Sequence, residues 1–298
     1  VTWTIGSILN QTALPRLEAE LLLAHALGLK RIELFINYER VLQENELAKF
    51  KTLIQRRSQH EPIAYITGNQ PFMSLEFFVD RSVLIPRPET EELVEKVIDL
   101  ALAKDRKDPV TIADIGTGCG CIAVSLAKFL PQARVFGTDS SAEAIKIAKQ
   151  NAEKHQVADR CQFIIGNMFD ALFATKALRH EGAQKFDIIV SNPPYIPTKD
   201  IEGLAEDVKI WEPKGALDGG KDGLDYIRKL IEEAPNHLST HSSFALRASE
   251  DKPPKGLLLI EIGIDQADKI KELSKNKFRM SAIKKDRQGK ERFFFGQK

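Results

Sequence analysis

A chain of 298 residues with 43% hydrophobic and 29% charged residues has the composition of a folded protein of about two domains. Its 43 basic and 42 acidic residues leave a formal charge of +1, so no global basic field exists to hold nucleic acid or an anionic membrane surface without local contacts. The cysteines are Cys119, Cys121 and Cys161; an odd number with no C-x-x-C argues against a disulfide scaffold and for a reducing compartment.

The longest apolar runs, such as 256–264, are broken by Glu261 well short of the ~20 residues that a spanning helix needs. The N-terminus lacks a charged-then-apolar signal pattern. A cytoplasmic protein with no membrane contact is therefore expected.

Up to about Asp80 the periodicity is helical. Leu14, Leu17 and Leu21 recur at three and four, Pro15 stands where a first turn tolerates it, and Gly28 supplies a stop. A second segment, 45–58, puts Leu47, Phe50, Leu53 and Ile54 on one face. Through Asp80 the chain holds 8 basic and 9 acidic residues, a packing or substrate-docking domain rather than a basic clamp. Residues 1–69 are thus expected to form a small helical bundle, and 70–84, apolar at Phe72, Leu75, Phe77 and Val79, a β-hairpin linker.

Residues 85–298 alternate helices with short apolar strands, the pattern of a parallel sheet wrapped by helices. A helix with Leu93, Val94, Val97 and Ile98 inward precedes the strand 110–115. Further strands are expected at 134–138, 162–165, 186–190 and 257–262, with helices starting near Cys121, Ser141, Asp222 and Gln266. The segments 278–283 and 292–295, joined by a polar turn, read as an antiparallel closing hairpin. The fold class is therefore α/β, Rossmann-like, with a mostly parallel sheet. The stretches 171–185 and 239–255 show weak periodicity and are read as surface insertions.

Asp114-Ile115-Gly116-Thr117-Gly118-Cys119-Gly120 lies between a predicted strand and a predicted helix, where glycines permit a tight turn and close approach of a ligand to the backbone. Asp139 ends the next strand, about 20 residues on, where a carboxylate can accept both hydroxyls of an adenosine ribose. The spacing is G-x-G-x-G rather than the dinucleotide G-x-G-x-x-G. It specifies no pyrophosphate cradle and suits an adenosine cofactor with a short amino-acid tail. Asp114 is placed either to contact the amino group of that tail or to fix the loop.

A later strand runs into Ser191-Asn192-Pro193-Pro194-Tyr195, at the carboxyl end where ligands bind in open parallel sheets. Two prolines remove two backbone donors and stiffen the segment, leaving carbonyls that can only accept. With the Asn192 side-chain oxygen they can hold an NH₂ group by both hydrogens while Tyr195 packs on its flat face. An amide or aromatic-amine nitrogen is a poor nucleophile because its lone pair is delocalised. Holding it in line with a sulfonium methyl is catalysis by orientation and preorganised dipoles, and no metal is required.

With these motifs the chain resembles the class I S-adenosylmethionine methyltransferases and, within them, the PrmC/HemK family of glutamine methyltransferases of peptide chain release factors. The resemblance also rests on Glu18-Ala-Glu-Leu-Leu-Leu-Ala-His-Ala-Leu-Gly28, Glu61-Pro-Ile-Ala-Tyr-Ile-Thr-Gly68, Leu84-Ile-Pro-Arg-Pro-Glu-Thr-Glu91, Trp211-Glu-Pro213 and 216–225. It implies methyl transfer from S-adenosylmethionine to the side-chain amide of the glutamine in the Gly-Gly-Gln loop of a class I release factor, docked by the helical front. Gly116, Thr117, Gly118, Cys119 and Gly120 would hold the methionine part of the cofactor and Asp139 its ribose. Asn192, Pro193, Pro194 and Tyr195 would hold the glutamine amide. Where the family usually has an acidic residue near the adenine, this chain has Asn167 and Met168; Asn167 can still accept from the adenine amino group and Met168 pack on the ring. The segment 87–90 is expected to line the cofactor crevice or to serve an interdomain role.

Two other acceptors stand beside this one: a ribosomal-protein glutamine, and the exocyclic amine of a nucleic-acid base such as adenine N6. The nucleic-acid reading predicts a basic cleft that the near-neutral front does not supply, so direct nucleic-acid binding is not expected. A non-enzymatic binding module would predict damage to the glycine loop, Asp139 or Asn192, and all are intact. His237 and His241 have metal-compatible i,i+4 spacing but no third ligand nearby, and are read as a solvated loop. Cys119 and Cys121 are read as small packing residues whose position beside a cofactor exposes them to alkylation.

Overall fold

A computed structural model describes residues 2–102, 109–174, 185–240 and 256–298. Most of the two expected insertions, and His241, lie outside the described residues. The chain forms two compact units: Val1–Asn69 with Ala205–Trp211, and Gln70–Leu204 with Glu212–Lys298.

The first unit is helical, with α1 (Ile5–Gln11), α2 (Arg16–Leu27), α3 (Arg31–Ile36), α4 (Glu44–Ser58), α5 (Ile63–Thr67) and the separate helix Glu206–Trp211. Thr4 and Ser7 cap α1 reciprocally, and Gly28 ends α2 in the left-handed region at φ +66°. The core is formed by Leu22, Leu23, Leu34 and Phe50, all fully buried. Of the Leu14, Leu17 and Leu21 stripe, Leu17 and Leu21 are exposed, and the buried face of α2 is Ala19, Leu22, Leu23 and Ala26. Consecutive leucines at 21–23 satisfy two helical faces, so spacing alone does not select between them. The buried Glu20 carboxylate accepts from Arg16 and Arg31, each at 2.7 Å. Ala205–Trp211 departs from the expected division at residue 85. Trp211 Nε1 donates to the Gln59 carbonyl at 3.1 Å and His60 pairs with Glu206 at 2.8 Å, and these bonds tie the segment to the helical unit.

The second unit opens with a hairpin, β1 (Asn69–Phe72) and β2 (Leu75–Phe78). The hairpin forms where the β-hairpin linker is expected, and from Gln70 on it belongs to this unit. Helix α6 (Pro88–Leu102) reaches the hairpin turn through Glu91, which accepts from the Met73 amide at 2.7 Å. β3 (Val110–Ile115), α7 (Cys121–Phe129), β4 (Ala133–Asp139), α8 (Ala142–Lys154), β5 (Cys161–Ile165), β6 (Ile188–Ser191), β7 (Leu257–Glu261), β8 (Met280–Lys285) and β9 (Glu291–Gln297) follow. The sheet order is β5-β4-β3-β6-β7-β9-β8. The first five strands in this order run parallel, and β9 inserts antiparallel to both β7 and β8. β7 is buried at all five positions, as a strand covered on both faces requires. The chain leaves β3 in one direction to β4 and β5 and returns to its other side at β6. Ligands bind in open parallel sheets at such a reversal, beyond the carboxyl ends of the strands.

Candidate active site

A cavity of about 460 Å³ opens at this point, lined from the ends of β3, β4 and β6. Gly116 and Gly118 form one wall, Asp139, Ser140 and Ser141 another, and Asn192, Pro193 and Pro194 a third, with Asn167 and Met168 beside them. The glycine loop, the acid and the proline-stiffened segment therefore converge.

The loop is held from behind. The Gly116 and Thr117 amides donate to the Thr138 carbonyl at 2.9 and 2.8 Å, Gly120 N–H to Thr117 O at 2.8 Å, and Gly118 N–H to Asp139 Oδ2 at 2.9 Å. These amides are used inside the protein, so the loop presents glycine Cα surface rather than a cluster of open donors. A Cβ on Gly116 or Gly118 would meet nothing within 4 Å, but their φ values of +75° and +56° hold them in the left-handed region. Thr117, Cys119 and Gly120 are buried within the loop and do not line the cavity.

Asp114 also lies behind the wall. It is fully buried, and Oδ2 accepts from Thr117 Oγ1 at 2.6 Å. Burial pushes its carboxyl up to about 7 despite the Thr117 bond. This geometry favours loop fixing over contact with a cofactor amino group. Cys119 and Cys121 are buried, and the Cys119 neighbour together with burial raises the Cys121 thiol further. Their burial agrees with the reading of both as small packing residues.

Asp139 is half-buried; Oδ1 accepts from the Ser141 amide and Oδ2 from Gly118, both at 2.9 Å. A carboxylate has about four lone-pair directions, so each oxygen keeps one for a ribose hydroxyl. Open space above two glycines and an acceptor pair at the next strand's end fit an adenosine cofactor with a short tail.

At the third wall, Ser191 Oγ donates to the Ile115 carbonyl at 2.7 Å and registers the segment against the loop. Asn192 Nδ2 donates to Thr90 Oγ1 at 3.0 Å. Tyr195 does not line the cavity; its hydroxyl donates to Glu261 Oε1 at 3.3 Å, and burial followed by the nearby Glu261 charge raises its pKa. The backbone of Tyr195 is held too, its carbonyl accepting from Gln266 Nε2 at 2.8 Å.

Sequence reasoning did not place Ser82, Val83, Ser140, Ser141, Glu143, Ala144, Gly215, Tyr226 or Leu230 at the site, although all line the cavity; Leu84, Pro213 and Ala216, which also line it, lie in segments named by resemblance. Ser141 carried a signal, since it caps α8 by accepting from the Ala144 amide at 3.1 Å. Arg87 does not line the cavity. It pairs with the buried Glu212, whose other oxygen accepts from the Ile85 amide at 3.4 Å, so two segments named only by resemblance meet. Among the described residues no cluster of His, Cys, Asp or Glu is arranged to hold a metal, and no helix is long and apolar enough to cross a membrane.

The chain matches two family models, a PrmC N-terminal domain over residues 5–68 and a methyltransferase domain over residues 106–283. It is 42% identical over 279 residues to a release factor glutamine methyltransferase of Geobacter sulfurreducens, covering 90% of this chain and 87% of that one. A release factor glutamine methyltransferase of Moorella thermoacetica is 42% identical over 285 residues, covering 94% and 90%. In fold it is similar to a methyltransferase from Pyrococcus furiosus (TM-score 0.51, 18% identity, 83% of this chain and 98% of that one). The N-terminal domain of human METTL16, solved with SAH, gives a TM-score of 0.50 at 16% identity and covers 87% and 85%. Identity of this order across nearly the full length of both relatives, spanning the helical front as well as the nucleoside-binding sheet, makes the chain a member of the release factor glutamine methyltransferase family.

Proposed function

We propose that this enzyme transfers the methyl group of S-adenosylmethionine to the side-chain amide nitrogen, N5, of the glutamine in the Gly-Gly-Gln loop of a class I peptide chain release factor, leaving S-adenosylhomocysteine. The observation that carries this reading is the convergence of Gly116, Gly118 and Asp139 with Asn192, Pro193 and Pro194 on one cavity, in a chain of this family.

Gly116 and Gly118 admit the methionine portion, Asp139 accepts from the ribose hydroxyls, and Asn167 and Met168 border the adenine. When bound, the cofactor supplies an electrophilic sulfonium methyl. The Asn192 side-chain oxygen and the proline-segment carbonyls would accept the two amide hydrogens of the glutamine, turning its lone pair toward that methyl; as the N–C bond forms and the S–C bond breaks, one of those hydrogens leaves as a proton to solvent. Rigid acceptors need no reorganisation as positive charge develops on the nitrogen. Because Tyr195 is anchored at its hydroxyl and its carbonyl, it stiffens the segment and supports the amide-binding face. A translation factor as substrate supports a cytoplasmic location.

The test is transfer of labelled methyl to a purified class I release factor, to the same factor with its Gly-Gly-Gln glutamine changed to alanine, and to duplex DNA. Label on the first alone is expected. Label on DNA, or on the glutamine-free factor, overturns the assignment of the acceptor.

A further inference from the structure

The proline-stiffened segment carries an Asn side chain whose usefulness depends on which of its two amide atoms faces the substrate. An Asn oxygen accepts, while its nitrogen only donates. An Asn192 turned the wrong way would present two hydrogens to an NH₂ group that needs acceptors.

The structure supplies a device that chooses. Thr90, on α6 and buried, has a single hydroxyl proton and donates it to Glu261 Oε2 at 2.8 Å. Toward Asn192, at 3.0 Å, it can therefore only accept, and Asn192 must turn Nδ2 to it. Oδ1 is left for the cavity that Asn192 lines. Glu261 Oε1 meanwhile accepts from Tyr195 at the other end of the same segment, 3.3 Å away. One buried carboxylate at the end of β7 thus holds the first and last residues of the Asn-Pro-Pro-Tyr segment, one through Thr90 and one directly.

We propose that Thr90 and Glu261 are positioning residues of methyl transfer: the Glu261 carboxylate orients the Thr90 hydroxyl, and that hydroxyl fixes the sense of the Asn192 amide so that its oxygen meets the acceptor nitrogen. The inference deepens the glutamine-amide reading above and rests on it. An aliphatic residue would be easier to accommodate at the end of Leu257–Ile260 than a fully buried carboxylate. Its retention by two hydroxyl donors is explained when the carboxylate sets a proton direction.

The device is sensitive to protonation. Burial pushes Glu261 up to about 7, opposed by the Thr90 bond, by Arg292 from β9 and by the Tyr195 bond, and reinforced by Glu89 of α6. Once protonated, Glu261 can donate to Thr90, whose hydroxyl is then free to donate to Asn192 Oδ1 and reverse the amide. Transfer should fall as pH drops through about 7.

The experiment compares full-length wild type, Thr90→Val, Thr90→Ser and Glu261→Gln, using release factor and S-adenosylmethionine from pH 5.5 to 9, with cofactor affinity and melting temperature measured alongside. Thr90→Val should lower kcat at pH 8 about 30-fold or more with cofactor Kd within about threefold, the loss expected when a buried directing hydrogen bond is removed. Thr90→Ser should restore kcat, and Glu261→Gln should abolish the acidic limb near pH 7 seen in the wild type. Wild-type kcat in Thr90→Val, or an equal loss in Thr90→Ser with a folded protein, overturns the inference. So does an acidic limb that survives in Glu261→Gln. If wild type itself labels no release factor, the functional reading fails rather than the positioning roles. The Asn192 sense is then read directly from its side-chain amide NMR signals across the same pH range, where absence of a change in wild type sinks the proposal.

Discussion

Asn151, a fully buried residue of α8, donates through Nδ2 to the Cys119 carbonyl of the glycine loop at 2.9 Å. The same nitrogen donates to the Phe78 carbonyl at 2.9 Å, and its Oδ1 accepts from the Phe78 amide at 2.8 Å. One side chain therefore joins the cofactor loop to the hairpin. Replacing it with Leu keeps roughly the volume but strands three backbone groups. Stability should fall by about 2–4 kcal/mol, and cofactor affinity should fall about tenfold as the loop loses its rear support. Denaturant unfolding and calorimetric titration check both; an unchanged affinity in the folded variant removes Asn151 from loop positioning.

Much of the sheet was legible because its strands are short apolar runs separated by punctuated helices. The expected strand 110–115 coincides with β3, and Ser141 and Gly28 act as the caps their chemistry predicts. The three segments that converge on the cavity were legible for the same reason: glycines, a strand-terminal acid and a double proline are local signals. What escaped was non-local. Nothing in the spacing of Thr90, Asn192 and Glu261 announces that they meet, because the contact is made by the sheet order. The two-faced leucine run of α2 escaped because burial there is chosen by partner helices rather than by period.

Arg87 and Glu212 anchor the stretch carrying Pro213, Gly215 and Ala216, which lines the cavity. Removing the guanidinium takes one cationic partner from a buried carboxylate, a change that is destabilising. Arg87→Ala should raise the KM for S-adenosylmethionine about tenfold, and Arg87→Lys should restore it only in part because a compact ammonium on a shorter stem does not reproduce the guanidinium's reach and planar geometry. Steady-state kinetics decide. A KM unchanged in Arg87→Ala separates this ion pair from the cavity wall.

Asp114 gives a pH-dependent stability whose sign is opposite to that of an ion-paired carboxylate. Its folded pKa is raised to about 7 from 3.8 by burial, so the folded chain holds a proton that the unfolded chain has released. The contribution is full below the unfolded value and is lost as pH rises through about 7; Glu261, raised to about 7 from 4.5, acts in the same direction. Asp114→Asn keeps an acceptor for Thr117 and removes the titration. Its melting temperature should exceed that of the parent by about 3 °C or more at pH 8 and match it at pH 4. Equal melting temperatures at pH 8 would show that Asp114 ionises without penalty.

Asn192 separates binding from transfer. It lines the cavity beside the glycine wall, yet the groups that fit the cofactor are elsewhere: Gly116, Gly118 and Asp139 remain in place when the Asn192 side chain is truncated, because their bonds run to Thr138 and Ser141 rather than to the proline segment. Asn192→Ala removes the side-chain acceptor and leaves the backbone carbonyls. Single-turnover transfer to release factor should fall about 100-fold or more, the scale of losing one preorganised group that acts on the developing charge. S-adenosylmethionine affinity should stay within about threefold. An Asn192→Asp variant restores an acceptor oxygen but introduces a charge beside the Thr90–Glu261 pair, where a second carboxylate is disfavoured, so recovery should be partial and should improve as pH falls. Wild-type turnover in the alanine variant would mean that the backbone carbonyls alone orient the amide, and the directing role of the Asn side chain would be wrong.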